Sequence, residues 1–151
     1  MKERIIIDTN LLVLLMVGLY DPGYICFHRK LTDYSKQDFE ALAILIEGAE
    51  IVVTSNVLTE ASNLLWYTAD PHKQAIRAVL GEFINGATEH RPESTSVVLS
   101  PSFMGLGLTD AGILELPKDS GVILTVDLDL HLAALDRGLK SENFTHYRTF
   151  D

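Results

Sequence analysis

The sequence predicts a three-layer α/β/α fold built around a central, mostly parallel sheet. Three observations point there. Short, continuously apolar runs (Ile5-Ile6-Ile7, Ile51-Val52-Val53 and Val122-Ile123-Leu124-Thr125-Val126) alternate with helix-length segments. Strands without polar alternation are buried on both faces, which requires helices on either side of a parallel sheet. Finally, 151 residues with 47% apolar and 22% charged content suit one folded domain, residues 1–151, with no repeat, low-complexity tract or linker.

The elements follow in order. Arg4-Ile5-Ile6-Ile7 reads as a buried strand that stops at Asp8. Thr9-Asn10 then lead into a helix over the apolar run 11–17, ended by Gly18, Pro22 and Gly23. Residues 21–35 read as a long loop carrying aromatics. Helical spacing of Phe39, Leu42, Ala43 and Ile46 predicts a helix over 37–47 with one buried face. Ile51-Val52-Val53 is a second strand, and Ser55 is the expected cap of a helix that buries Val57, Leu58, Ala61, Leu64 and Leu65. A helix over 72–87 turns Ala75, Ile76, Val79, Leu80 and Phe83 inward. Ser96-Val97-Val98-Leu99 reads as a short strand, and 109–116 as a short helix before Pro117 and Gly121. The apolar run 122–126 is a strand, 128–137 a helix stopped by Gly138, and 143–147 a last strand.

Composition narrows the function. The lone Cys26 excludes an internal disulfide and a multi-cysteine zinc cluster. Residues 1–20 resemble a signal peptide only superficially, because Glu3, Asp8 and Asn10 interrupt them. The longest unbroken apolar run there, 11–17, falls far short of the ~20 residues that span a bilayer. A soluble cytoplasmic protein without membrane contact is expected. Twelve basic against 21 acidic residues give a net charge of −9, which on its face argues against a nucleic-acid partner.

The carboxylates carry the chemistry. In a parallel sheet, ligands bind where the strand-to-helix turns converge at the carboxyl ends of the strands. Asp8 directly follows the first strand and Asp127 follows 122–126, with Asp129 two residues on. Both Asp8 and Asp127 also suit helix caps. Asp110 opens a helix, where unpaired amides favour an acid in any case. Glu60 lies too deep in its helix for a capping box and shares a face with Val57 and Leu64, or else sits at the edge of that apolar stripe. Taken together, these acids can converge on one sheet edge. Crowded carboxylates raise one another's pKa, and hard cations such as Mg²⁺ or Mn²⁺ relieve the repulsion.

Ile5-Ile6-Ile7-Asp8-Thr9-Asn10, Leu58-Thr59-Glu60-Ala61, Leu108-Thr109-Asp110-Ala111 and Leu124-Thr125-Val126-Asp127-Leu128-Asp129 occur in an order that resembles the PIN-domain nucleases, a family that includes VapC-type toxins and RNA-processing enzymes. The likeness spans about residues 5–130; each motif is short, and their ordered combination is what is specific. It implies metal-ligating roles for Asp8, Asp110 and Asp127, a metal-ligating or water-orienting role for Glu60, and an auxiliary acid at Asp129. Asn10 and Thr125 match supporting polar positions. The implied activity is endoribonuclease cleavage of single-stranded or structured RNA by water activated on Mg²⁺ or Mn²⁺. An antitoxin protein and a homodimer are the partners the family suggests, although no stretch specifies either. The segment 18–37 departs from compact toxin members, which mostly lack it.

Arg29, Lys30 and Lys36 lie among Tyr20, Tyr24, Phe27 and Tyr34, so this segment either packs its rings onto the core or offers cations and rings to RNA. Lys73 and Arg77 form a second small basic pair, and Trp66-Tyr67 suit packing or a dimer surface. His28, His72, His90, His131 and His146 show no zinc spacing and read as surface or packing residues. Two alternatives stand beside the nuclease: an inactive PIN-like binding module, and a haloacid-dehalogenase-like phosphatase using Asp127 and Asp129. The latter would want its Asp-x-Asp after the first strand. Assigning five acids to one site leaves 12 bases against 16 acids, −4, and two bound Mg²⁺ would bring −9 to −5, so acidity no longer excludes an RNA substrate.

Overall fold

A computed structural model describes residues 2–148. Five strands form one fully parallel sheet: β1 (Arg4–Ile7), β2 (Glu50–Thr54), β3 (Thr88–His90), β4 (Val122–Thr125) and β5 (Ser141–Asn143), in the order β3-β2-β1-β4-β5. Helices flank it as expected: α1 (Thr9–Tyr20), α2 (Lys36–Ile46), α3 (Ser55–Leu65), α4 (His72–Gly86), α5 (Ser94–Val97), α6 (Phe103–Leu114) and α7 (Leu128–Asp136). α1 packs against α2, α3 and α4, while α6 packs against α5 and α7. Among the described residues no helix is long and apolar enough to cross a membrane.

β1 lies at the centre of the sheet, paired with β2 through Ile5–Ile51 and with β4 through Ile6–Ile123. Its Ile5, Ile6 and Ile7 are buried, as the continuous apolar run requires. α1 is apolar all round rather than on one stripe, with residues 11–18 all buried, which is the pattern of a helix enclosed by neighbours.

Several expectations need correction. Gly18 does not end α1; the helix runs on to Tyr20, and the glycine lets Phe39 pack against it. A β-carbon there would stand 2.0 Å from Phe39 Cδ1. The segment 21–35 is no open loop: Pro22–Phe27 forms a 3-10 helix whose Ile25 is buried, and His28 and Leu31 are buried beyond it. Thr54, not Ser55, caps α3, accepting the Val57 amide at 3.1 Å, so Ser55 is the first helical residue. Ser96-Val97-Val98-Leu99 is not a strand, since α5 occupies Ser94–Val97 and buries only Val97. The edge strand β3 lies instead at the polar Thr88-Glu89-His90. The last strand is Ser141–Asn143, and residues 144–147 turn into a 3-10 helix anchored by the buried Phe144.

α6 bears directly on the site. Gly107, at φ 84° and ψ 176°, breaks it into two helical pieces. Only glycine reaches that conformation without strain, so the break fixes where the second piece starts and brings Asp110 into its opening turn. The helix expected over 109–116 is this second piece.

Candidate active site

The chain reverses its direction across the sheet between β1 and β4, and this switch point is where open parallel sheets form crevices. Asp8, Thr9, Asn10, Glu60, Asp110 and Asp127 line a cavity of about 140 Å³ there, with Leu64 as its apolar wall. Asp8, Glu60, Asp110 and Asp127, from four different turns or helices, thus line one cavity. A larger cavity of about 550 Å³ opens beside Lys2, Glu50 and Glu82. It gathers no comparable group of facing acids, so chemistry rather than size singles out the smaller one.

Asp8 is 4% exposed and bound on both oxygens. Its Oδ1 accepts the Leu11 amide at 3.0 Å, capping α1, while Oδ2 accepts the Thr125 hydroxyl at 2.5 Å and the Val126 amide at 3.1 Å. Thr125 in turn accepts the Asp127 amide at 2.9 Å. One buried hydroxyl thus links the Asp8 carboxylate to the Asp127 backbone. Asp127 Oδ1 caps α7 by accepting the Leu130 amide at 3.1 Å, and among the described residues its Oδ2 accepts no hydrogen bond. Both residues act as helix caps, and both also line the cavity.

Burial raises the Asp8 pKa above its ordinary value, against the lowering by Thr125, Leu11 and Val126, with the Asp127 charge adding to the rise. Asp110 has no hydrogen bond to offset its surroundings. Burial first, and then the charges of Asp127, Asp8 and Glu60, push its carboxyl up to about 7. Burial is the larger cause, and the charges of the neighbouring acids add to it. Glu60 is exposed at its tip and accepts a hydrogen bond from the Thr109 hydroxyl.

Sequence reasoning gave Thr109 no role, although it stands beside Asp110. Its partner Glu60 is 49 positions away, which no local pattern reveals. Asp129 is not part of the group: it lies exposed in the first turn of α7 and does not line the cavity. Residues two apart at a helix start point to opposite sides. Asn10 is exposed but does line the cavity.

Among the described residues no three His, Cys, Asp or Glu side chains form a ready-made ligand shell. The donor set nevertheless suits a hard divalent cation. It is made of carboxylate oxygens, and among the described residues Asp110 and Asp127 offer oxygens without hydrogen bonds. Asp8, Asp110, Asp127 and Glu60 would hold it.

The basic residues of the 18–37 segment separate. Arg29 lines a second cavity of about 380 Å³ with Tyr24, Phe27, Trp66 and Tyr67, and Lys30 Nζ sits 4.3 Å from the Tyr67 ring centroid. Lys36 opens α2 and lines neither cavity. Three histidines are packing groups: His28 is fully buried with Nε2 3.3 Å from the Leu65 carbonyl, His72 Nδ1 meets the Tyr20 hydroxyl at 2.6 Å, and His131 Nδ1 meets Ser141 Oγ at 2.6 Å. No family model and no curated protein matches the chain, so the meaning of the acidic cavity rests on the geometry just described.

Proposed function

We propose that the protein is a Mg²⁺- or Mn²⁺-dependent endoribonuclease of PIN type, hydrolysing RNA phosphodiesters in the acidic cavity. The observation that carries this reading is the meeting of Asp8, Glu60, Asp110 and Asp127 in one cavity at the switch point of a parallel sheet. Asp8, Asp110 and Asp127 would hold the cation. Bound Mg²⁺ or Mn²⁺ supplies Lewis acidity, lowering the pKa of a water and neutralising phosphate charge. Glu60, which accepts the Thr109 hydroxyl, would hold the cation or orient the attacking water. Thr125 fixes the Asp8 carboxylate and the Asp127 backbone in register, and Asn10 offers a polar contact at the rim. No Ser, Cys or His nucleophile is required.

A phosphatase built on Asp127 and Asp129 would need both carboxylates in one cavity, and Asp129 lies outside it. An inactive binding module has no use for four facing acids that destabilise one another. A toxin role would add an antitoxin as partner, and the cytoplasm is the setting in which such an RNA substrate is met.

The test incubates the purified chain with labelled single-stranded RNA and the matching DNA, in Mg²⁺, Mn²⁺ or EDTA, beside Asp8→Asn and Asp110→Asn. Cleavage of RNA that needs the cation and is lost in both variants is expected. Cleavage in EDTA, or cleavage unchanged by either substitution, would sink the mechanism. RNA binding without any cleavage would favour the binding module.

A further inference from the structure

The second cavity differs from the rest of this acidic molecule. Tyr24, Phe27, Arg29, Trp66, Tyr67 and Thr68 line it with Ala69, and none of these is an acid. Its volume of about 380 Å³ falls within the roughly 300–1,000 Å³ of small-ligand sites. It is too small for a duplex and large enough for a single unpaired nucleotide.

Its rings are arranged to stay open. Tyr24 forms a fixed floor, stacked on His72 at 4.0 Å between centroids and hydrogen-bonded to Thr68. Phe27, 6.1 Å from Tyr24, is 72% exposed, and Tyr67 is 50% exposed even with Lys30 over it. Exposing two large rings to water is unfavourable unless something covers them. Cations stand at both sides. The Arg77 guanidinium lies 3.7 Å from the Trp66 ring centroid, and its buried Nε makes no hydrogen bond. With Arg29 and Lys30, three of the twelve basic residues border these rings.

Aromatic faces bordered by cations match the stacking platforms that hold unpaired bases and their phosphates. An acidic peptide would satisfy the cations but leave the planar faces without a planar partner. Leu64 walls the acidic cavity, while Trp66 and Tyr67, which follow α3, line this one.

We infer that Phe27, Tyr67 and Trp66, with Arg29 and Lys30, form a subsite for an unpaired nucleotide of single-stranded RNA. This rests on the nuclease reading for its biological sense but not for its measurement. Trp66 is the only tryptophan, so its fluorescence reports the subsite directly. In EDTA, which blocks cleavage, labelled oligouridylate and oligoadenylate of eight nucleotides are titrated against the chain, following Trp66 emission and fluorescence anisotropy.

Both strands are expected to quench Trp66 on binding, and a fully paired RNA of the same length to bind at least tenfold more weakly. Phe27→Ala and Tyr67→Ala are each expected to weaken binding about tenfold, while Tyr67→Phe, which keeps the ring, stays within twofold of the parent. Arg29→Glu should flatten the dependence of affinity on salt. Both alanine variants remove exposed rings, and unchanged thermal melting will show that they still fold. Unmoved Trp66 emission, alanine variants that bind as tightly as the parent, or equal affinity for duplex would overturn the subsite. Cleavage with a silent Trp66 would leave the nuclease standing and remove the subsite; Trp66 quenching without any cleavage would do the reverse.

Discussion

Asp110→Asn is expected to stabilise the cation-free protein while abolishing its activity. Burial together with Asp127, Asp8 and Glu60 lifts the Asp110 carboxyl from 3.8 to about 7. At about 1.4 kcal/mol per pKa unit the ionised form costs at most about 4 kcal/mol. The carboxyl remains partly open to water, and screening reduces this to about 1–2 kcal/mol. The sign follows from proton linkage. Between pH 3.8 and about 7 the folded chain keeps this proton and the unfolded chain has lost it, so stability falls as pH rises through that window and the whole penalty stands above it. A neutral asparagine removes the penalty. In EDTA at pH 8 the variant is therefore expected to melt about 3–6 °C above the parent, at roughly 3 °C per kcal/mol for a domain of this size. At pH 4 the two curves should nearly coincide. A variant no more stable than the parent at pH 8, or a gap indifferent to pH, would refute the account of crowded acids.

Three further outcomes follow from the same geometry. Mg²⁺ or Mn²⁺ is expected to raise the Tm of the parent, by about 2.7 kcal/mol of stabilisation at a hundredfold excess over Kd, and to leave Asp8→Asn nearly unmoved; equal shifts in both would place the cation elsewhere. Thr125→Val deletes the hydroxyl that holds Asp8 and the Asp127 amide, so RNA cleavage should drop about 10- to 100-fold with the fold retained, and undiminished cleavage would deny the hydroxyl a positioning role. Gly18→Ala sets a methyl 2.0 Å from Phe39 Cδ1 and is expected to cost about 1–3 kcal/mol, read by urea denaturation. A parent-like midpoint there would mean that the Phe39 ring gives way freely.

What the sequence revealed depended on whether the cause was local. Ile5-Ile6-Ile7 could be read because a strand buried on both faces must be apolar throughout, and β1 is central. Thr88-Glu89-His90 could not, because β3 is an edge strand with one neighbour and needs no apolar run. Val97-Val98 suggested a strand by β-branching, yet the chain turns there and buries only Val97. Gly18 looked like a stop because helix propensity is a local property, whereas the ring of Phe39 reaches it from another helix. In the site, Asp8 and Asp127 were visible from their places after strands. Thr109 was not, because its bond to Glu60 crosses 49 positions, and Asp129 was overcounted because neighbours in sequence at a helix start diverge in space.

The sheet order has a consequence for the life of the chain during synthesis. Thr125 and Asp8 are joined by a hydrogen bond that spans 117 positions, because β4 docks directly on the first strand. An emerging polypeptide can form α1 and even pair β1 with β2 while β4 is still inside the ribosome. At that stage Asp8 lacks two of its three donors, those from Thr125 and Val126, and has no Asp127 to face. The acidic cavity is thus complete only once Asp127, at the start of the seventh helix, has docked beside Asp8, so a chain truncated before that point carries the opening motif without the cavity.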